Sequence, residues 1–185
     1  MQGTLSRIPI AFWIGLATVV VLIGGVVVVS QIQQNPQDNE GQARTAKLLP
    51  GVAEFASLGA AHINPGSSHP PYNSDPPTSG WHYPQPAAWG IYENQLADET
   101  LIHNLEHGGI WISYKPDLAE DQKAKLKEIA GLYKSKVILE PRVQNDTPIV
   151  LAAWQKLLKL DNLDEAKITQ FISTYKNKGP ERVPD

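Results

Sequence analysis

The longest apolar run in the chain lies near its start. Residues 8–29 read IPIAFWIGLATVVVLIGGVVVV, with no charged side chain. At a rise of ~1.5 Å per residue such a run spans the ~30 Å hydrocarbon core of a bilayer. Pro9 falls in the first turn, where its missing N–H costs nothing, and Trp13 sits where an interfacial aromatic is expected. A cleaved leader is the rival reading. It calls for an apolar stretch of roughly 7–15 residues followed by a small-x-small site, of which VVVVSQIQQ offers a poor one. Residues 31–46 are polar and aperiodic and read as a linker. The expected plan is a stub and transmembrane anchor over 1–30, a juxtamembrane linker over 31–46 and one domain over 47–185. Arg7 and the amino terminus precede the apolar run, whereas polar and acidic residues follow it. The positive-inside rule then puts the N-terminus in the cytoplasm and the domain outside it, extracytoplasmic or periplasmic, on a single-pass cell-membrane protein.

Beyond the linker the pattern changes twice. Residues 62–90 contain Pro65, Pro70, Pro71, Pro76, Pro77, Pro84 and Pro86, which forbid a regular helix or a central strand. Tyr72, Trp81, Tyr83 and Trp89 favour burial, so this stretch is expected to be an ordered coil wrapped on the core. Regular periods follow. A short helix is predicted over 99–107, capped by Asp98 and closed by Gly108 in a left-handed conformation. Ile110, Ile112 and Tyr114 alternate as in a strand. Asp117 with Glu120 resembles a capping box opening a helix that runs to about Tyr133. Two more strands are expected over 136–140 and 148–153. A last helix over 163–175 carries Ile168, Phe171, Ile172 and Tyr175 at helical spacing, and Gly179-Pro180-Glu181 reads as its stop signal and nothing more. Strands and helices mixed without strict alternation indicate an α+β domain, a small mixed sheet with helices on one face.

Composition narrows the chemistry. The chain has no cysteine, which removes disulfides, iron–sulfur clusters, thiolate zinc sites and a cysteine nucleophile. A formal net charge of -3 gives no basic footprint for nucleic acid. All five histidines, His62, His69, His82, His103 and His107, fall within one quarter of the sequence. His103-Asn104-Leu105-Glu106-His107-Gly108-Gly109 is the sharpest unit. On a helix, residues four apart share a face with Cβ atoms about 6 Å apart, so His103 and His107 can share one metal ion. On a strand they stand roughly 13–14 Å apart, too far for that. Glu106 reads as a further ligand, a general base or simply a solvated carboxylate. The order is not that of HExxH, so zincin geometry does not carry over.

With the prolines folding His62, His69 and His82 back, a site of imidazoles joined by Glu106, Asp75 or a tyrosine suits copper or zinc. Met1, the only methionine, lies on the wrong side of the proposed membrane, and soft sulfur ligation is excluded. The unit Pro76-Pro77-Thr78-Ser79-Gly80-Trp81-His82-Tyr83 presents His82 between two aromatics. Its structural alternative is a turn whose Trp81 and Tyr83 plug the core. Nothing puts Ser79 on a strand-to-helix elbow, so a serine triad is not favoured.

Taken together, PPTSGWHY, HNLEHGG and the terminal GPE resemble the bacterial family catalogued as domain of unknown function 3105. The likeness runs from about Val52 to Glu181, and Gly90-Ile91-Tyr92 and Ala152-Ala153-Trp154 resemble it too. It implies an extracytoplasmic domain, often tethered by an N-terminal membrane helix, with His82, His103, His107 and Glu106 at signature positions. It implies no activity. Three functions stay open: a membrane-tethered copper- or zinc-binding domain, an accessory subunit of a membrane protein complex with structural histidines, and a metal-assisted hydrolase.

Overall fold

The computed structural model describes residues 48–184. The expected anchor and linker lie outside these residues, and no helix among the described residues is long and apolar enough to cross a membrane.

Among the described residues nine elements follow one another: β1 (Val52–Glu54), β2 (Gly90–Ile91), α1 (Asp98–Glu106), β3 (Ile110–Tyr114), α2 (Glu120–Gly131), β4 (Val137–Pro141), β5 (Ile149–Ala153), β6 (Lys156–Leu160) and α3 (Glu165–Tyr175). The strands form one mixed sheet in the order β1-β6-β5-β3-β4-β2. β3 and β4 run parallel, with Ile110 beside Val137 and Ile112 beside Leu139. Parallel neighbours need a crossover, and α2 supplies it. β3, β5, β6 and β1 pair antiparallel, and β2 joins the far edge parallel to β4.

Both faces of the sheet are covered, which corrects the expectation of helices on one face. α2 and α3 pack Leu126, Ile129, Ile168, Phe171 and Ile172 against Ile110, Ile112, Leu139 and Leu151. α1 packs Leu101 and Leu105 on the opposite face, against Trp111, Ile138, Val150 and Ala152, with Trp89 beside them. Every residue of β3 and β5 is therefore buried. Burial of each large apolar side chain contributes about 1.5–3 kcal/mol, and this double core holds the domain without a disulfide.

Several local expectations are also corrected. Ala97, not Asp98, is the N-cap of α1. The Asp98 carboxylate is taken by the Arg142 guanidinium in two bonds of 2.6 and 3.1 Å, and this fork outcompetes a cap. The Asp117–Glu120 box does not form, because a turn bonded from Leu118 N–H to the Lys115 carbonyl intervenes and Ala119 stands at the N-cap. Asp164 caps α3 through the Lys167 N–H. β6 went unforeseen: β5 and β6 join through Trp154-Gln155, with Gln155 at φ 63°. Gln is not among the residues that announce such a turn.

The proline-rich segment carries little regular structure, but it pairs with itself. His82 N–H donates to the Ala61 carbonyl and Ile63 N–H to the His82 carbonyl, so residues near 62 and 82 lie side by side. Pro76 to Gly80 is buried, whereas Trp81 is 39% exposed and does not plug the core. Its backbone carbonyl instead accepts the Tyr72 hydroxyl.

Candidate metal centre

α1 places three side chains of the HNLEHGG unit in one spot. One turn separates His103 from His107, and the 3.6-residue period brings Glu106 beside them. Asn104 and Leu105, between them, face elsewhere. Leu105 enters the core, and the Asn104 amide pairs with both backbone groups of Ala87 at 2.9 Å. That pairing, with Tyr83 N–H donating to the Glu99 carbonyl, fastens the coil along α1. The coil thereby delivers His62 and His82 to the same point.

Four of the five histidines converge. Ring centroids are 4.9 Å apart for His62 and His82, 4.9 Å for His62 and His103, 5.0 Å for His82 and His103, and 4.5 Å for His103 and His107. Ligand atoms of His62, His82, His103 and Glu106 lie within 4.8 Å of one another, and so do those of His103, Glu106, His107 and Glu181. His82 is wholly buried, His103 and Glu106 nearly so, while the His62 side chain is 48% exposed.

Hydrogen bonding fixes the rings. His82 Nδ1 stands 2.8 Å from the Gly80 carbonyl, and His103 Nδ1 stands 2.7 Å from the Tyr83 carbonyl. A carbonyl only accepts, so each Nδ1 carries a hydrogen, and in its neutral form each ring presents a lone pair at Nε2. His82 Nε2 then faces Glu106 Oε2 at 3.0 Å, and His103 Nε2 faces His107 Nε2 at 3.0 Å. Lone pairs set against a carboxylate or each other repel unless a proton or a metal cation lies between them. Burial holds the His103 pKa below its ordinary value of 6.5, and neighbouring His107 and His82 push it the same way against its bond to Tyr83. The lowered pKa favours the neutral ring, the form able to bind a cation.

Several ligand–ligand separations are close to those of a metal site. Tetrahedral ligands at ~2.0–2.1 Å from a zinc-like ion stand about 3.3 Å apart. Here the edges are 3.0 Å for His82 with Glu106, 3.7 Å for His62 with Glu106, 3.0 Å for His103 with His107 and 3.2 Å for His107 with Glu181. Metal-binding imidazoles characteristically donate their other ring N–H to a carbonyl or carboxylate, which holds tautomer and orientation, and the Gly80 and Tyr83 carbonyls do this here.

Two expected ligands are elsewhere. His69 lies 3.5 Å from Glu99 and 2.8 Å from the Pro70 carbonyl, its ring against Tyr72, and it belongs to neither group of ligand atoms. Asp75 pairs with Arg142 at 2.7 Å. Ser79 is a structural residue whose Oγ accepts the Leu58 N–H at 3.0 Å.

Glu181 is the residue that sequence reasoning missed. Gly179-Pro180-Glu181 is no mere stop signal, because α3 already ends at Tyr175. The segment returns to α1: Glu181 N–H donates to the Glu106 carbonyl, and Asn177 N–H to that of Gly108. Gly108 sits at φ 78°, as expected, and a Cβ on Gly179 would fall 2.1 Å from the Glu106 oxygen. Only glycine lets the two backbones meet, and that meeting sets Glu181 beside His107. A glycine and proline preceding an acid, beyond the end of the helix they follow, were the available signal.

No curated protein and no solved structure matches the chain. The family model described as a protein of unknown function, DUF3105, matches residues 64–184. That stretch begins later than the expected Val52. It contains His82, His103, Glu106, His107 and Glu181 but starts just after His62. The chain belongs to the DUF3105 family.

Proposed function

We propose that this domain binds a transition-metal ion, zinc or copper, through the Nε2 atoms of His62, His82 and His103 and the carboxylate of Glu106. One observation carries the reading. Two buried imidazoles are locked by backbone carbonyls with their lone pairs aimed at a buried carboxylate and at a third ring, an arrangement that a cation satisfies. Nitrogen and oxygen donors without sulfur suit Zn(II) or Cu(II) among common ions. Neutral His103 needs no deprotonation to bind. The apolar run at 8–29 and the charge bias around it support placing the domain outside the cytoplasm on a membrane tether. A hydrolase that uses a metal ion as a Lewis acid is the second reading; a cavity of about 450 Å³ lies beside the neighbouring His107 and Glu181.

The test is metal content and affinity of the full chain after stripping, beside a His82→Ala, His103→Ala double variant. Stoichiometric, sub-micromolar binding that the variant loses is the expected result. A folded wild-type chain that binds neither ion would show the histidines to be structural, and the search would pass to a partner in the membrane.

A further inference from the structure

The candidate ligand atoms do not form one shell. At bond lengths of ~2.0–2.2 Å, two ligands on one ion are at most about 4.4 Å apart. The six side chains instead fall into two overlapping groups, each within 4.8 Å, which share only His103 and Glu106. Short edges divide them further. His62 and His82 both approach Glu106 Oε2, at 3.7 and 3.0 Å, while His107 bridges His103 and Glu181, at 3.0 and 3.2 Å.

His107 makes the second half hard to satisfy with protons alone. Its Nε2 lies within hydrogen-bonding reach of both the His103 lone pair and the Glu181 carboxylate, and a neutral ring has one N–H at that atom to serve two acceptors. A cation satisfies all three. Glu181 is half exposed and lines the same cavity as His107, so this position has its own access to solvent.

We propose that the cluster takes a second divalent transition-metal ion, held by His103, His107 and Glu181, with the first retained by His62, His82 and Glu106. This rests on the metal-binding reading above. Of the two residues common to both groups, His103 then serves the outer ion and Glu106 the inner one. Three protein ligands each leave an open position on either ion. Glu181 is the residue that makes the outer site, brought to it by the Gly179 contact.

The experiment is equilibrium dialysis of the stripped full chain against Zn(II), with bound metal counted by mass spectrometry, and Co(II) substitution to read the ligand field. It is run on the wild type and on a His107→Gln, Glu181→Gln double variant. The Glu181→Gln change keeps the backbone bond to the Glu106 carbonyl, and matching circular dichroism verifies the fold. The expected result is two equivalents in the wild type and one in the variant, with the Co(II) spectrum losing one component. One equivalent in both overturns the second ion and leaves the first standing. Two equivalents in both place the second ion elsewhere and overturn the assignment. No binding by the wild type removes the metal-binding reading itself.

Discussion

Glu106→Gln separates a metal ligand from a structural carboxylate. The substitution keeps the shape of the side chain and removes its charge. Without metal the cost is small: His82, with Nδ1 donating to Gly80, presents a lone pair at Nε2, and the new side-chain amide donates to it across the same 3.0 Å. Metal reverses the balance. A saturating ion at 100 times its dissociation constant stabilises the native state by about 2.7 kcal/mol. In a domain of this size each kcal/mol raises Tm by roughly 3–4 °C, so zinc should raise the wild-type Tm by about 10 °C. A whole structural zinc site contributes roughly 10–16 kcal/mol, so one ligand of four accounts for about 3–4 kcal/mol, or at least 100-fold in affinity. The same zinc concentration then lies at or below the variant's dissociation constant, where binding yields at most about 0.4 kcal/mol and Tm moves by only about 1–2 °C. Differential scanning calorimetry with and without zinc reads both numbers. Equal zinc shifts in wild type and variant would refute the argument, as would an apo variant that fails to fold.

Three further outcomes test the surrounding structure. Gly179→Ala should destabilise the domain by about 2 kcal/mol or more, since its Cβ would overlap the Glu106 carbonyl, and urea unfolding measures the loss; an unchanged midpoint would dissolve the proposed packing. His69→Ala should leave metal affinity within about twofold of wild type, because that ring pairs with Glu99, and titration calorimetry checks it. Burial pushes the Glu140 carboxyl from its ordinary 4.5 up to about 7, against the Leu96 N–H, the Trp111 N–H and the Arg142 charge that favour the anion. A folded pKa above the unfolded one means the native state holds the proton more tightly. Its contribution is complete below pH 4.5 and declines as pH rises to about 7, by up to about 3 kcal/mol. Glu140→Gln should flatten that decline in denaturant unfolding between about pH 5 and 8, and parallel profiles would contradict the assignment.

The parts of the fold legible in the sequence were those governed by local period. Leu126 and Ile129 mark α2, Ile168 and Phe171 mark α3, and Ile110 with Ile112 marks β3, each because one face of the element meets the core. What escaped depends on distant partners. β1 is a three-residue strand that exists only as an edge to β6, and β2 only as an edge to β4. Trp111 alternates with the core-facing Ile110 and Ile112, yet α1 and the coil bury it, and Ser113 is buried against Asn145. Asp98 has the chemistry of a cap and was claimed by Arg142, 44 residues on.

The site divides along the same line. His103, Glu106 and His107 were recoverable because a helix brings i, i+3 and i+4 together wherever it lies. His82 and His69 looked equivalent from the sequence, both set among prolines and aromatics. They differ in backbone partners: His82 is paired to Ala61 and bonded through its ring to Gly80, whereas His69 has its ring on Pro70 and Glu99. Glu181 was the hardest, since its role follows from Gly179, and Gly179 was already explained as a helix stop. The close approach at Glu106 shows why that explanation was insufficient. α3 ends at Tyr175, so a stop at 179 has nothing left to stop, while the missing Cβ at 179 lets the C-terminal segment reach the last turn of α1. The same carbonyl that Glu181 N–H grips belongs to Glu106, so the backbone that positions the outer carboxylate also steadies the inner one. Loss of that grip should therefore weaken both halves of the cluster, whereas loss of the Glu181 carboxylate alone should weaken only the outer half.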